Sequence, residues 1–383
     1  MSLRATLLLL ILPAACARGG PPLPTPDRAA APVWDTASAS TIAPGVSLLA
    51  MRARAVPWEA RILEIDLASC RPELRARKAG PTLADRARTS TLGSTDLAAI
   101  NADFFLIPAG TPVGPHVEDG QILAGPGRRP AFVVTRAGWA AGLAALAGSV
   151  AHRNDTVSIG QVNRPPEGGP QHPAGTGVVL FTSWFGDSVV AAPALTVRVL
   201  DAGDGRAGSA GRGVVAAVAD TGTTVESGWV AFRAGTGGEQ WMARRAPGDT
   251  ITWHVQLHAP DGGEVLEAVG GFPIIVEEGR DVVASQEGIS ESFGPRRHPR
   301  TAVGWNERTL FLVVVDGRQS GWSEGMALTE LAALFLALGA EEAINLDGGG
   351  STAMAVQGSV VNRPSDSAGE RAVGNALALA RCR

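Results

Sequence analysis

Near the C-terminal end of the chain, a short apolar segment ends in a carboxylate that glycines and hydroxyl residues follow, in the sequence AINLDGGGST. Three glycines remove side chains and favour close approach of a ligand to backbone N–H groups, which can surround an anion. The carboxylate at the edge of such a loop can serve as an acid, a base or a metal ligand. A tight structural turn is the alternative. The candidate residues are Asp347, Gly348, Gly349, Gly350 and Ser351.

Other polar residues occur at the ends of apolar segments and can face the same volume. Asn101 and Asp103 alternate along an extended chain, so both side chains point to one side. Arg300, with Thr301 beside it, begins another apolar segment, and arginine suits bidentate recognition of phosphate. Arg318 is a second phosphate candidate. Each arginine has an ordinary alternative, as a structural ion pair or a solvated loop residue.

The elements that must position these residues include a predicted crossover. Apolar positions recur at helical spacing across residues 326–338, between the strand-like segments 310–315 and 343–346. Strand, helix and strand of these lengths predict two parallel strands, whose C-terminal ends share one edge of the sheet. Asp316 and Asp347 end these strands, so we expect a carboxylate pair with glycosidase-like spacing. Glu324, before the same helix, is the alternative second carboxylate.

Several of these motifs together resemble the phosphodiester glycosidase family. The resembling blocks are NADFF at 101–105, PVG at 112–114, GGFP at 270–273, RTAVG at 300–304, DGR at 316–318 and NLDGGGS at 345–351. The resemblance implies hydrolysis of a sugar joined through its anomeric carbon to a phosphodiester, with release of the sugar and a phosphomonoester. In relatives the first block commonly reads NGGFF, so Asp103 adds a carboxylate here.

The resemblance suggests roles for the polar residues. Asp347 and Asp316 become nucleophile or base and assisting acid, while Arg300 and the amides of the glycine loop stabilise phosphate charge. Asn101 and Asn345 bind sugar hydroxyls or orient the carboxylates. No cofactor is certain, although Asp103, Asp316 and Asp347 could form a Ca²⁺ or Mg²⁺ site. No zinc-type His spacing is present.

Two other functions stay open at this point. The first is a metal-dependent phosphodiesterase that cleaves the P–O bond. The second is a non-catalytic surface protein that binds glycans through the segments containing Trp184 and Trp241. The expected partner is a sugar phosphodiester or a surface glycan, in envelope polysaccharide turnover.

Composition narrows the class of protein. The 383 residues carry a net charge of −4 without a basic tract, which argues against nucleic acid as a partner. Lys78 is the only lysine and tyrosine is absent, which excludes a P-loop. With 48 Gly and 26 Pro, short strands and turns dominate, most clearly in residues 136–265. Helical periodicity occurs only in residues 83–99 and 326–338. We therefore predict an α+β fold, a mixed β-sheet core with packed helices.

The N-terminus predicts export. Residues 1–16 combine one arginine, an eight-residue apolar run and a cysteine behind small residues. We expect a lipoprotein leader with lipidation of Cys16, or an ordinary signal peptide cut just after it, and thus an envelope or secreted location. Residues 17–45 predict a flexible tether and residues 46–383 the glycosidase domain. Cys70 and Cys382 can form a disulfide in an oxidising compartment, or remain free buried thiols.

Overall fold

The computed structural model describes residues 34–164, 175–187, 190–191, 193–202 and 209–383, which belong to one compact unit. The predicted leader and Cys16 lie outside the described residues. The predicted tether also lies outside them up to residue 33. The last part of the predicted tether is not flexible chain, because Trp34–Ala43 form a strand.

The described chain is built mainly of strands, which are numbered in chain order. Residues 34–124 contain β1 (Trp34–Ala43), β2 (Val46–Ala53), β3 (Trp58–Asp66), β4 (Pro72–Lys78), β5 (Ala87–Arg88), α1 (Thr89–Leu92), β6 (Ala98–Asn101), β7 (His116–Glu118) and β8 (Gln121–Ala124). Residues 131–258 contain β9 (Ala131–Val134), β10 (Trp139–Gly142), β11 (Ala145–His152), β12 (Asp155–Val162), β13 (Thr176–Phe181), β14 (Ala194–Asp201), β15 (Ala210–Ala219), β16 (Trp229–Ala234), β17 (Thr236–Gly237), α2 (Glu239–Ala243) and β18 (Thr250–His258).

The remainder of the chain supplies the strands nearest the candidate site. They are β19 (Glu267–Gly270), β20 (Ile274–Glu277), β21 (Arg280–Asp281), β22 (Arg300–Trp305), β23 (Thr309–Val315), α3 (Leu328–Ala337), β24 (Glu342–Asn345), β25 (Met354–Val356), β26 (Ser359–Val360), β27 (Ala372–Val373) and β28 (Asn375–Cys382). Short 3₁₀ turns occur at Ser183–Phe185, Val283–Ser285 and Gly349–Ser351.

Two antiparallel sheets enclose the core beneath the candidate site. The first has the order β1-β2-β3-β23-β22-β24-β20-β21, and the second has the order β26-β25-β6-β28-β4. Alternate residues of β23 point to opposite faces, as the period of a strand requires. Leu312 packs with Ile100 and Leu377 of the second sheet, whereas Val313 packs with Phe335 of α3 on the other face. Burial on both faces explains why β23 is a continuous apolar run.

The middle of the chain forms a separate layer of structure. Strands β11 to β16 and β18 pair in one sheet, and the pairing of β12 with β13 closes it into a barrel. Its interior is filled by apolar side chains such as Val197, Phe232 and Trp253. Strands β10, β9, β19, β7 and β8 form a further sheet. The predicted strand-rich segment, residues 136–265, corresponds to the barrel and its margins.

The predicted α+β class is wrong, because the described residues are mostly β and contain three short helices. Residues 83–99 were expected to be helical, yet only Thr89–Leu92 are, since Gly93 follows and β6 begins at Ala98. Helix α3 does form, and Glu330 reaches back to the amide of Ala327 at 2.8 Å. Among the described residues, no helix has the length and apolarity that crossing a bilayer requires.

A further strand lies between the two strands of the predicted crossover. Strands β23 and β24 do run parallel to each other, because β22 lies between them and is antiparallel to both. They are therefore not neighbours. Antiparallel β22 enters from the loop that follows β21, and its position could not be read from the local strand–helix–strand pattern.

A disulfide between Cys70 and Cys382 joins the two ends of the domain. Cys382 ends β28, whose neighbour β4 begins two residues after Cys70, and the two sulfur atoms are 1.99 Å apart. The disulfide is therefore formed, which was one of the two states the sequence allowed. It closes a chain segment with a sequence separation of 312.

Candidate active site

Asp347 lies where the two core sheets meet. It follows β24, and its backbone amide donates to the carbonyl of Ala102 at 2.7 Å, just beyond β6. Its backbone carbonyl accepts from Asn101 Nδ2 at 2.6 Å. These two hydrogen bonds fix the start of the glycine loop against the end of a strand in the other sheet.

The backbone after β6 brings Asp103 into the same place. Its side chain is buried, and its Oδ2 accepts from the amide of Gly114 at 2.6 Å. Its own amide donates to Asn375 Oδ1 at 2.8 Å. The carboxyl group lies against Gly270, where an added Cβ would be 2.5 Å from it, so glycine is needed there.

The Asp103 and Asp347 carboxyl groups have raised pKa values. Burial raises the pKa of Asp103 to about 7, and the charge of Asp347 adds to this increase. Burial likewise raises the pKa of Asp347 to about 6, against the lowering effect of Ser351, the Gly348 amide and nearby arginines. Two neighbouring carboxyl groups with pKa values near neutrality are the arrangement that acid–base catalysis requires.

One cation beside both carboxyl groups was not among the sequence candidates. The guanidinium of Arg129 lowers the pKa values of Asp103 and Asp347 through its charge. It lies 5.0 Å from the ring centroids of Phe104 and Phe272. Arg129 lies within the segment GPGRRP, and nothing in that local pattern distinguishes it from Arg128.

Two further arginines pack against the glycine loop. Any Cβ on Gly349, which has φ = +63°, would lie 3.1 Å from the guanidinium of Arg318. Gly350 faces the guanidinium of Arg371, which is paired with Asp366 at 2.8 Å. A Cβ on Gly348 would meet the Pro299 carbonyl at 2.5 Å, so each of the three glycines is required for a separate reason.

The predicted cradle of free amides is only partly present. The amide of Gly348 donates to Asp347 Oδ1 at 2.9 Å, that of Gly349 to Pro299 O at 2.9 Å, and that of Ser351 to Gly348 O at 3.2 Å. These N–H groups stabilise the turn and the carboxylate. The buried Ser351 hydroxyl lies beside Asp347, although no hydrogen bond of ordinary geometry is formed to it within the described residues.

Asp316 is not the partner of Asp347 in the structure. Its oxygens accept from Trp322 Nε1 at 2.9 Å, from Asn362 Nδ2 at 2.9 Å and from the amide of Arg363 at 3.0 Å. Burial raises its pKa, and these donors oppose the increase. Because its acceptor positions are occupied, the predicted Asp316–Asp347 pair is corrected to Asp103–Asp347.

Glu324 is also placed elsewhere, in an exposed ion pair with Arg297 at 2.7 Å. The three-carboxylate metal site is not assembled either. Within the described ranges, no three His, Cys, Asp or Glu side chains are grouped so that they could hold a metal ion. The residues present therefore do not fit the Ca²⁺ or Mg²⁺ site that Asp103, Asp316 and Asp347 suggested.

Arg300 has a structural position. It is buried, and it donates to the carbonyls of Met326 at 2.8 Å, Phe293 at 2.6 Å and Arg296 at 3.1 Å. Burial and the charge of Arg318 lower its pKa. These bonds hold the loop before β22 and engage the guanidinium with backbone carbonyls, which leaves it less able to make the predicted phosphate contact.

The buried amide and hydroxyl residues act as supports. Asn101 Oδ1 accepts from Thr301 Oγ1 at 2.7 Å and from the amide of Ala353 at 3.0 Å, which ties both flanks of the site together. Asn345 Nδ2 donates to the carbonyls of Phe272 and Leu346, both at 2.7 Å. Asn101 and Asn345 therefore orient the backbone around Asp347.

The tryptophan segments do not form exposed glycan platforms. Trp241 is buried and donates to Asp155 O at 3.0 Å. Trp184 packs on the small core cluster of Leu83 and Leu123. The surface-binding hypothesis therefore loses the residues on which it relied.

Comparisons with known proteins agree with the motifs. The family model of the phosphodiester glycosidases matches residues 204–380, somewhat less than half of the chain. This match confirms the resemblance that the motifs predicted. The matched region contains Asp347 and the glycine loop, whereas Asp103 and Arg129 precede it.

Individual relatives cover different shares of the chain. A segment of 84 residues is 43% identical to the SPbeta prophage-derived uncharacterized protein YomE of Bacillus subtilis (strain 168), which is 22% of this chain and 13% of that protein. A solved structure of a hypothetical protein from Synechocystis has a TM-score of 0.68 at 21% identity, covering 88% of this chain and 62% of that one. The chain thus spans less than two thirds of both. The "Putative exported protein" of Burkholderia pseudomallei K96243 has a TM-score of 0.63 at 26% identity, covering 84% and 74% of the two chains.

Proposed function

We propose that this chain hydrolyses the glycosidic C–O bond of sugar-1-phosphodiesters, releasing the sugar and leaving a phosphomonoester. The match of residues 204–380 to the phosphodiester glycosidases supports a hydrolase of this kind. The observation that carries the proposal is the pair of carboxyl groups, Asp103 and Asp347, whose pKa values are raised to about 7 and about 6. Glycoside hydrolysis uses two carboxyl groups in two protonation states.

The two pKa values suggest a division of roles. Between pH 6 and pH 7 Asp347 is the first of the pair to lose its proton, so it serves as the nucleophile or general base. Asp103 retains its proton longer and serves as the acid that assists departure of the phosphate. Because the two groups interact, the pair titrates jointly, and the activity should show a bell-shaped pH profile centred between these values.

The leaving group fits the cations around the carboxyl pair. A phosphate ester departs readily, so stabilisation of its negative charge matters more than strong protonation. The guanidinium groups of Arg129 and Arg371 both act on Asp347 through their charges. They supply a positive environment for an anionic substrate.

The biological setting follows from the N-terminal sequence. A leader over residues 1–16, with Cys16 as a lipid attachment site or part of a cleavage site, would place the enzyme in the envelope or outside the cell. The similar protein of Burkholderia pseudomallei is also named as exported. We propose a GlcNAc-1-phosphodiester-like linkage in a surface polysaccharide or glycan as the substrate.

The test is phosphorus NMR of the leaderless protein with the methyl diester of α-N-acetylglucosamine-1-phosphate. Methyl phosphate and free sugar should form, and Asp347→Asn should abolish their formation. Asp35→Asn, an exposed carboxylate in β1, is the matched control and should leave the rate unchanged. Sugar-1-phosphate with methanol would instead show P–O cleavage and refute the proposal. Absence of turnover across a panel of sugar-1-phosphodiesters would also refute it.

A further inference from the structure

Arg129 has an unusual environment for a guanidinium group. It is half-buried, and its Cζ lies 5.0 Å from the ring centroids of both Phe104 and Phe272. A third ring, that of Phe293, contacts both phenylalanines, at 5.9 Å from Phe104 and 6.4 Å from Phe272. These rings come from three separate loops, and they restrict the arginine side chain by contacts that use none of its N–H groups as hydrogen-bond donors.

In the part of the chain that the structure describes, Arg129 takes part in no hydrogen bond and no ion pair. Two fully buried arginines, Arg164 and Arg300, differ in this respect. Arg164 donates to the carbonyls of Pro112 and Gly114 at 2.7 and 2.6 Å, and Arg300 likewise bonds backbone. The half-buried guanidinium of Arg129 therefore has donors that are open to a ligand.

The guanidinium of Arg129 interacts electrostatically with both carboxyl groups of the proposed catalytic pair, Asp103 and Asp347. The other cations near the glycine loop are already engaged. Arg371 is paired with Asp366 at 2.8 Å, and Arg318 Nη2 donates to His298 Nδ1 at 3.1 Å.

We propose that Arg129 binds the phosphate group of the substrate and of the phosphomonoester product, while Phe104 and Phe272 hold its guanidinium in position. This inference rests on the proposed function of the same site. Arginine is suited to the role because its planar fork can donate two hydrogen bonds to one phosphate and its faces can stack on aromatic rings. The ligand class is a phosphate mono- or diester, and inorganic phosphate should bind more weakly at the same position.

The binding test uses methyl phosphate, titrated into the leaderless protein and followed by calorimetry. Arg129→Met keeps an apolar chain between the rings without the charge, and it should weaken binding at least tenfold. Arg129→Lys should retain part of the affinity, because a lysine is a point charge without the fork. Arg128→Ala, the exposed neighbouring arginine, is the matched control and should bind as the wild type does.

The kinetic test separates phosphate recognition from a structural role. Arg129→Met should lower kcat/KM for the sugar-1-phosphodiester by at least a hundredfold. It should lower kcat/KM far less for a phosphate-free aryl glycoside of the same sugar. The acidic limb of its pH profile should move to higher pH, since Arg129 normally favours ionisation of Asp347.

The outcomes distinguish this inference from the proposed function. Methyl phosphate binding that depends on Arg129, in a protein without glycosidase turnover, would support the inference and reject the proposed function. Turnover by the wild type with unchanged phosphate affinity and unchanged kcat/KM in both Arg129 variants would overturn the inference alone. Equal losses on the phosphodiester and the aryl glycoside would overturn it as well, because they would indicate a general packing role.

Discussion

Replacing Asp103 by asparagine should make the protein more stable at alkaline pH while it removes activity. Burial raises the folded-state pKa of Asp103 from 3.8 to about 7. The folded protein therefore holds a proton that the unfolded chain releases, and the stability this provides is complete below pH 3.8 and lost as pH rises through 7. Each pKa unit corresponds to ~1.4 kcal/mol, so the increase from 3.8 to about 7 makes ionised Asp103 cost about 4 kcal/mol at pH 8.

Asparagine removes this cost because it has no proton to lose, and its oxygen can still accept from the amide of Gly114. The free energy of unfolding of Asp103→Asn should match that of the wild type near pH 4. It should exceed the wild-type value by roughly 4 kcal/mol at pH 8. Guanidinium chloride unfolding of the leaderless protein at a series of pH values measures the difference directly.

Glu73→Gln provides a control of opposite sign. Hydrogen bonds from Arg75 and Arg381 lower the pKa of Glu73 to about 2. Its contribution to stability is therefore present above the unfolded pKa and lost as pH falls toward 2. The glutamine variant should be less stable at neutral pH, and the difference should shrink in acid. A pH-independent stability difference for Asp103→Asn, or destabilisation at pH 8, would refute the buried carboxyl pair on which the site depends.

Three further predictions concern the surroundings of the site. Replacing Cys70 and Cys382 by alanine should lower the free energy of unfolding by about 2–5 kcal/mol, measured by chemical denaturation, because the bridge closes a very long loop. Arg300→Met should destabilise the protein by about 2–4 kcal/mol, since it leaves backbone carbonyls unpaired, while methyl phosphate affinity of the folded fraction stays unchanged. A loss of methyl phosphate affinity in Arg300→Met would instead support the phosphate-binding role that the sequence predicted for Arg300. Gly350→Ala should displace the guanidinium of Arg371 and lower kcat/KM, with little change in far-ultraviolet circular dichroism; wild-type kinetics would contradict this.

The sequence predicted local features well, because their causes are local. The continuous apolar run of β23, the helical spacing of α3 and the sharp turn at three glycines each depend on a few neighbouring residues. The fold class failed for a non-local reason. The strand–helix–strand pattern predicted two parallel strands without deciding whether they are neighbours, and β22 lies between β23 and β24 and makes that sheet antiparallel.

The same inserted strand, β22, also explains why the sequence paired Asp316 with Asp347. Asp316 and Asp347 end parallel strands, as expected, yet an intervening strand separates those strands and the Asp316 carboxylate bonds Trp322 and Asn362. The carboxyl group beside Asp347 is that of Asp103, which follows β6 of the other sheet. Asp103 lies there because the carbonyl of Ala102 accepts the amide of Asp347, a contact between sheets that local periodicity does not encode.

The site therefore depends on where two sheets meet. Asp347 arrives from β24 of one sheet and Asp103 from β6 of the other, and Asn101 bonds both the Asp347 carbonyl and Thr301 of β22. A carboxyl pair built across such a junction responds to changes in sheet packing. A change in the burial of either carboxyl group would alter both pKa values, because burial is the largest cause of each increase. Asn101→Ala should therefore move the whole pH profile, and a lower kcat with an unchanged profile would show that Asn101 does not position the pair.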